Sequence, residues 1–315
     1  MHGVWACTQR NEDMALTTPA RLSATAFGTL LLIAFMMGAN HVAARTAFNH
    51  GLDVVTAITV RSVITASVLA LILWQQKVDW RVLPGQRKYL AAVGLLIAVQ
   101  SVCLYSAVAR LPVALALLAF NTYPLTTALW ARMLYGHQPE RAVLWAMPVM
   151  MAGLALALDV LGAASGLGAA RQWAEIGAGV AFALAASATF GLALVLTQHE
   201  TVGVDGRLRT FTTMATVGVL AAIVALTQGG FQWPQAEPGW WGLAALTFLY
   251  GTAFTIMFTV LPKLGVVGNS AIMNVEPIFA LVLAWALLGQ AIAPMQLLGA
   301  AVVVSAVLWL GLRKP

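Results

Sequence analysis

Apolar stretches follow one another along nearly the whole chain, separated by short polar turns, and each is close to the roughly 20 residues a helix needs to cross hydrocarbon. They fall near residues 26–47, 54–74, 89–109, 112–135, 143–159, 176–197, 209–227, 240–260, 266–288 and 294–312. Backbone N–H and C=O groups cannot stay unpaired in lipid, so every stretch reads as a helix. The pattern predicts an all-α membrane protein with ten transmembrane helices.

Composition reinforces this reading. Of 315 residues, 61% are hydrophobic and 9% charged, against roughly a quarter charged in soluble domains. No soluble core absorbs that much apolar surface. About 25 mixed residues, with Arg10, Glu12, Asp13 and Arg21, precede the first span. They lack the basic start, short apolar stretch and cleavage site of a secretory signal. They read as a disordered cytoplasmic leader over 1–25 before an uncleaved helix, with Met14 as an alternative start. Cys7 in the leader and Cys103 in the third span stand in different contexts and do not suggest a bridge.

Lysine and arginine set the orientation, because they accumulate in short cytoplasmic loops. With the N-terminus inside, the cytoplasmic segments hold Arg10, Arg21, Lys77, Arg81, Arg87, Lys88, Arg132, Arg141, Arg207, Arg209, Lys263, Arg313 and Lys314, thirteen of the 17. Arg45, Arg110 and Arg171 lie on or near the outer side, and Arg61 within a span. Both termini are expected in the cytoplasm of a bacterial cell, around an inner-membrane protein. The net charge of +6 then reads as a topology signal, with no nucleic-acid partner implied.

The two halves of the chain repeat at one offset of 153 residues. The shift aligns Gly38 with Gly191, Tyr105 with Phe258, Leu111 with Leu264, Asn121 with Asn274, Pro124 with Pro277 and Gly136 with Gly289, without a gap. Residues 26–160 and 176–312 thus form two five-helix repeats. Five being odd, the second enters the membrane upside down. Inverted-topology repeats recur in secondary transporters, which bind cargo near the midplane where the halves meet. Duplication within a membrane protein of another function is the competing account.

At these residues the chain resembles the drug/metabolite transporter superfamily, in particular its EamA-type ten-helix exporters. The stretches LPVALALLAFNTYPLTTALWARMLYGHQPE and LGVVGNSAIMNVEPIFALVLAWALLGQAIA are similar to that family's repeat ending, a proline-centred helix running to a Gly-Glu pair before a further helix. FMMGANHVAARTAF and the arginine of VRSVITASVLALIL resemble its first two helices. The likeness spans nearly everything after residue 25. It implies a carrier, no enzyme, that exports amino acids or related metabolites without a cofactor, as a monomer or homodimer. Here the Gly-Glu pair is Gly136-His137 and Gly289-Gln290, so the glutamate's role at those helix ends does not carry over.

Candidate site residues follow from the cost of polarity in lipid. Pro124 and Pro277 interrupt corresponding spans, each removing the bond to the carbonyl four residues earlier; paired interruptions point to a central site, or else only shape packing. Asn121 and Asn274, one turn before them, can patch freed backbone or meet cargo. Glu276 is the sole acid deep within a span and Arg61 the sole base. Both must face a cavity, each other or polar partners. Three uses compete: Glu276 as a proton acceptor, the two charges as clamps for a zwitterion, or a structural ion pair between the halves. Asn40, Gln100, Tyr105, Tyr123, Trp130, Thr189, Tyr250 and Trp285 are further interior candidates, although some will serve packing or the interface. His41, beside Asn40, reads as a hydrogen-bonded packing residue, with acid–base work in a lipid-acting enzyme as its competing use.

Several signatures are missing. No G-x-x-x-x-G-K-[ST], H-E-x-x-H or G-x-S-x-G occurs, and the five histidines lack metal-ligand spacing. An alternating-access carrier is the leading reading. A passive channel and an intramembrane enzyme acting on lipid are the rivals.

Overall fold

The computed structural model describes residues 24–138, 141–162, 165–259, 275–290 and 293–312. The expected leader and Asn274 lie outside them. Among the described residues every regular element is a helix: α1 (Ala24–Asn49), α2 (Val54–Gln75), α3 (Pro84–Arg110), α4 (Val113–Phe120), α5 (Tyr123–Tyr135), α6 (Arg141–Ala157), α7 (Ala169–Glu200), α8 (Gly206–Thr227), α9 (Glu237–Thr259), α10 (Glu276–Leu288) and α11 (Pro294–Leu312). Seven stretches among them are long and apolar enough to cross a membrane, and three shorter apolar helices accompany them.

The fourth predicted span is two helices rather than one kinked rod. After Phe120 the chain makes a turn through Asn121 and Thr122 and restarts at Tyr123. Pro124 stands in the first turn of α5, where its missing N–H would have had no helical partner in any case. Pro277 holds the same position in α10. Pro124 therefore starts a half-length helix instead of bending a long one, a correction to the expectation of an interior kink there. Asn121 closes α4, its Nδ2 donating to the Leu117 carbonyl at 2.8 Å. Both half-helices run 13 residues. Each ends on a glycine in the left-handed region, Gly136 at φ 69° and Gly289 at φ 64°, a conformation that a Cβ disfavours.

The halves pack through each other. α3 lies chiefly on α7, α2 on α8, α1 on α9 and α6 on α11, with α5 against α7 and α1 against α10. Under the 153-residue offset α1 to α3 correspond to α7 to α9, so these pairings exchange into one another. At the α1–α10 crossing a Cβ on Gly38 would lie 2.9 Å from the Glu276 carbonyl oxygen. Close helix approach of this kind stands in for the hydrophobic effect, which is absent between helices in lipid.

Turns gather at two rims. On one, Gln232 N donates to Asp53 Oδ1 at 3.3 Å and to Thr56 Oγ1 at 3.1 Å, Gln235 N to the His50 carbonyl at 2.8 Å, and Arg45 Nη1 to the carbonyls of Val108 at 2.7 Å and Leu111 at 3.4 Å. Val113 N donates to Gln290 Oε1 at 3.1 Å on the same side. On the other, Gln86 Nε2 donates to the Val202 carbonyl at 2.8 Å, Tyr135 Oη to Glu200 Oε1 at 2.5 Å, and Arg207 to Gln76.

Gln290 thus supplies an acceptor for the first N–H of α4 from the opposite half. The amide oxygen stands where a capping side chain's oxygen would. Gln290→Ala should lower stability by about 1 kcal/mol, as loss of an N-cap does. Gln290→Glu should raise it by up to about 1 kcal/mol by setting a negative charge at the helix's positive end. Thermal melting of both variants in detergent checks this, and equal melting temperatures would remove the capping role.

Candidate functional site

A cavity of about 320 Å³ lies between the halves. α1, α2, α3, the α4–α5 break, α7, α8, α9 and the start of α10 all contribute to its wall, whereas α6 and α11 do not. Larger grooves exist, one of about 640 Å³ along Val60, Ile64, Val68, Trp240 and Phe248, but several of those side chains are exposed on the outer surface and the lining is apolar. Lipid contact is sufficient reason for them.

Arg61 organises the polar end of the cavity. Its side chain is 3% exposed, Nη1 donates to Tyr105 Oη at 2.9 Å and Nη2 to Ser101 Oγ at 2.9 Å. The guanidinium lies over the rings of Tyr105 at 4.3 Å and Tyr250 at 4.0 Å. Tyr105 Oη in turn donates to Asn40 Oδ1 at 3.0 Å, and Tyr250 Oη reaches Met214 Sδ at 3.7 Å. Nε of Arg61 and Nδ2 of Asn40 are buried without a hydrogen-bond partner. Buried donors are otherwise nearly always satisfied.

Glu276 takes a different partner from the one the sequence offered. His41 Nε2 stands 3.2 Å from Glu276 Oε1, the side chains 3% and 16% exposed, and the His41 ring meets Tyr105 edge-on at 5.7 Å. The described residues contain no Arg61–Glu276 pair; the ion-pair contact across the halves among them is His41–Glu276. Glu276 is the first residue of α10, where the positive end of the helix favours negative charge. Its counterpart at the first residue of α5 is Tyr123, which packs on Phe190 at 5.1 Å and Phe120 at 5.6 Å.

Of the sequence candidates, Arg61, Gln100, Tyr105, Asn121, Tyr123, Tyr250 and Glu276 line this one cavity. Asn40 supports it from behind through Tyr105. Pro124 is not among the lining residues, and Pro277 faces a separate apolar groove with Leu118 and Val304. Trp130 Nε1 donates to the Ala188 carbonyl at 3.0 Å and Thr189 Oγ1 to that of Ala185 at 2.8 Å, both structural bonds. Trp285 is 66% exposed, so it is a surface aromatic.

Sequence reasoning did not single out Ser101 and Arg209 as cavity residues, and it read His41 chiefly as a hydrogen-bonded packing residue. Arg209 was expected in a cytoplasmic turn with Arg207, yet it lines the cavity. Two residues apart on α8, the pair point to different faces. Arg207 turns out to Gln76 and to Asp205, whose carboxyl its hydrogen bonds hold below the ordinary carboxylate range. That helical phase was the available signal.

Among the described residues the wall extends toward one rim. Thr197, Arg209 and Met257 lie within a turn of the ends of α7, α8 and α9 on the rim of Gln76 and Val202, whereas toward the rim of Asp53 and Gln290 the lining stops at His41, Arg61 and Tyr105. Beyond them lie the packed side chains of Val42, Leu111, Val113 and Leu115.

Comparison with known proteins gives the following. The family described as the EamA-like transporter family matches residues 25–158 and 177–312. No curated protein matches the chain. A solved structure titled "Crystal structure of protein" is similar at a TM-score of 0.59 and 17% identity, covering 90% of this chain and 96% of its own. That likeness shows a shared fold.

Proposed function

The chain belongs to the EamA-like transporter family, and from that premise we propose that it is a secondary carrier exporting small organic metabolites, such as amino acids or related compounds, across the bacterial inner membrane by alternating access. The cavity supports this most directly: nine of the eleven described helices build one pocket between the halves, and among the described residues its wall extends toward one rim and stops short of the other.

Ten spans in two inverted five-helix repeats fit the same observations. Turns that correspond by the 153-residue offset stand at opposite rims, Asp53 against Gly206, Gln76 against Gly229, and Gly136 against Gly289. With basic residues inside, the rim of Gln76 and Val202 is cytoplasmic, and the cavity faces inward. Rocking the halves about the His41–Glu276 level would present it outward. Glu276 is the coupling candidate, because a proton on that pair alters a bond between the halves.

Flux of labelled amino acids in proteoliposomes with an imposed pH gradient tests the reading. Saturable flux is expected, with the gradient dependence lost in Glu276→Gln. Absence of saturable flux from folded protein would overturn the carrier, and a mutant that still follows the gradient would remove Glu276 from coupling.

A further inference from the structure

Among the described residues the cavity carries more positive charge than acid to match it. Its lining includes Arg61, Arg209 and His41 but a single acid, Glu276. His41 occupies that acid at 3.2 Å. Arg61 has neutral partners only, two hydroxyls and two tyrosine faces, and no carboxylate is in ion-pair distance of it among the described residues. The stretch 260–274, outside them, contains neither Asp nor Glu. Arg209 makes no side-chain hydrogen bond among the described residues, and Asp205, the acid whose charge acts on it, is tied to Arg207 at 2.6 Å.

A guanidinium at membrane depth without a counter-ion is costly, and cation–π faces and hydroxyls offset that only in part. Two tyrosine rings lie against the guanidinium, and Nε on its edge is buried and unpartnered. An edge-on guanidinium offers parallel N–H donors at the spacing of two carboxylate oxygens. The start of α5 adds to this: Asn121 and Tyr123 bring that half-helix's positive end to the cavity, and unlike α10 it has no acid in its first turn. Glu276, committed to His41, is not free to hold an ammonium.

We infer that this site recognises cargo through a carboxylate seated on the edge of Arg61, with an apolar body against Phe120, Phe190 and Phe254, and requires no ammonium group on the cargo. Arg209, near the open rim, draws the anion in. The inference rests on the reading of the cavity as the cargo site.

The test uses the purified full-length chain and three matched series built on benzyl, isobutyl and methylthioethyl bodies. Each body is offered as the plain carboxylate, the amino acid and the amine, with affinity read by calorimetry and transport by counterflow in proteoliposomes. For the bodies that bind, carboxylate and amino acid should agree within about tenfold and the amine should bind at least about a hundredfold more weakly, the scale of losing a charge-assisted contact in a desolvated site. Arg61→Lys, which keeps the charge but loses the fork, should weaken the carboxylates at least about tenfold. The wild-type series decides the matter without the variant if Arg61→Lys does not fold. Amines binding as well as carboxylates, or no carboxylate of the panel binding, overturns the assignment. Carboxylate binding without counterflow keeps the site and sinks the carrier, whereas counterflow of amines alone keeps the carrier and sinks the carboxylate site.

Discussion

A valine at residue 299 will cost this protein about 3 kcal/mol or more, the upper end for overpacking, because the atoms in its way belong to main chain. A Cβ on Gly299 would lie 2.3 Å from Ala157 N and 2.5 Å from the Gly153 carbonyl oxygen. Neither can rotate aside as a side-chain tip would, so α11 must move off α6. Gly28, with nothing within 4 Å of its added Cβ, is the control. Gly28→Ala should fall within about 0.5 kcal/mol of wild type or gain slightly from helix propensity. Melting followed by tryptophan fluorescence in detergent reads both. Since α6 and α11 do not line the cavity, whatever Gly299→Val protein folds should keep the wild-type KM for its cargo. A melting temperature for Gly299→Val within about 2 °C of wild type would mean that the α6–α11 crossing is looser than described.

The second large effect is a coupling. His41→Phe keeps a ring beside Tyr105 and removes both ring nitrogens, of which only Nε2 has a partner, Glu276. It should destabilise by about 3 kcal/mol, the low end for stripping one partner from a buried pair, since Glu276 retains some exposure. Glu276→Leu alone leaves His41 buried with neither ring nitrogen bonded, because Nδ1 already has no hydrogen-bond partner, and should cost a similar amount. The double variant should recover part of the loss, giving a coupling energy of about 1–3 kcal/mol. Strict additivity of the two single changes would show that the pair holds nothing together.

Much of this architecture was readable in one dimension because lipid makes the code simple. Every span must be helical and apolar, so the ends of α2, α8 and α11 fall within a few residues of their hydropathy limits. The 153-residue repeat aligned Pro124 with Pro277 and Gly136 with Gly289, and those pairs do begin and end matching half-helices. Hydropathy could not show the break at Asn121 and Thr122, since a helix, a turn and another helix within one apolar run have the same composition as one helix. Nor could it choose partners for buried charges. Arg61 and Glu276 were drawn together as the two intramembrane charges of opposite sign, but α3 brings Tyr105 and Ser101 to Arg61, and α1 brings His41 to Glu276. Which residues meet depends on helix rotation about the long axis, set by crossings such as Gly38 on α10. Arg209 escaped for a related reason: a basic residue near a span end satisfies the topology rule whichever way its side chain turns.

The bond from Val113 N to Gln290 joins residues 177 positions apart. At synthesis rates of about 5–20 residues per second, α4 leaves the ribosome roughly ten to thirty-five seconds before the residue that will cap it exists. Eight residues make a marginal helix on their own. During that interval the first half carries an unfinished element in the bilayer, and the last spans made are the ones that complete it.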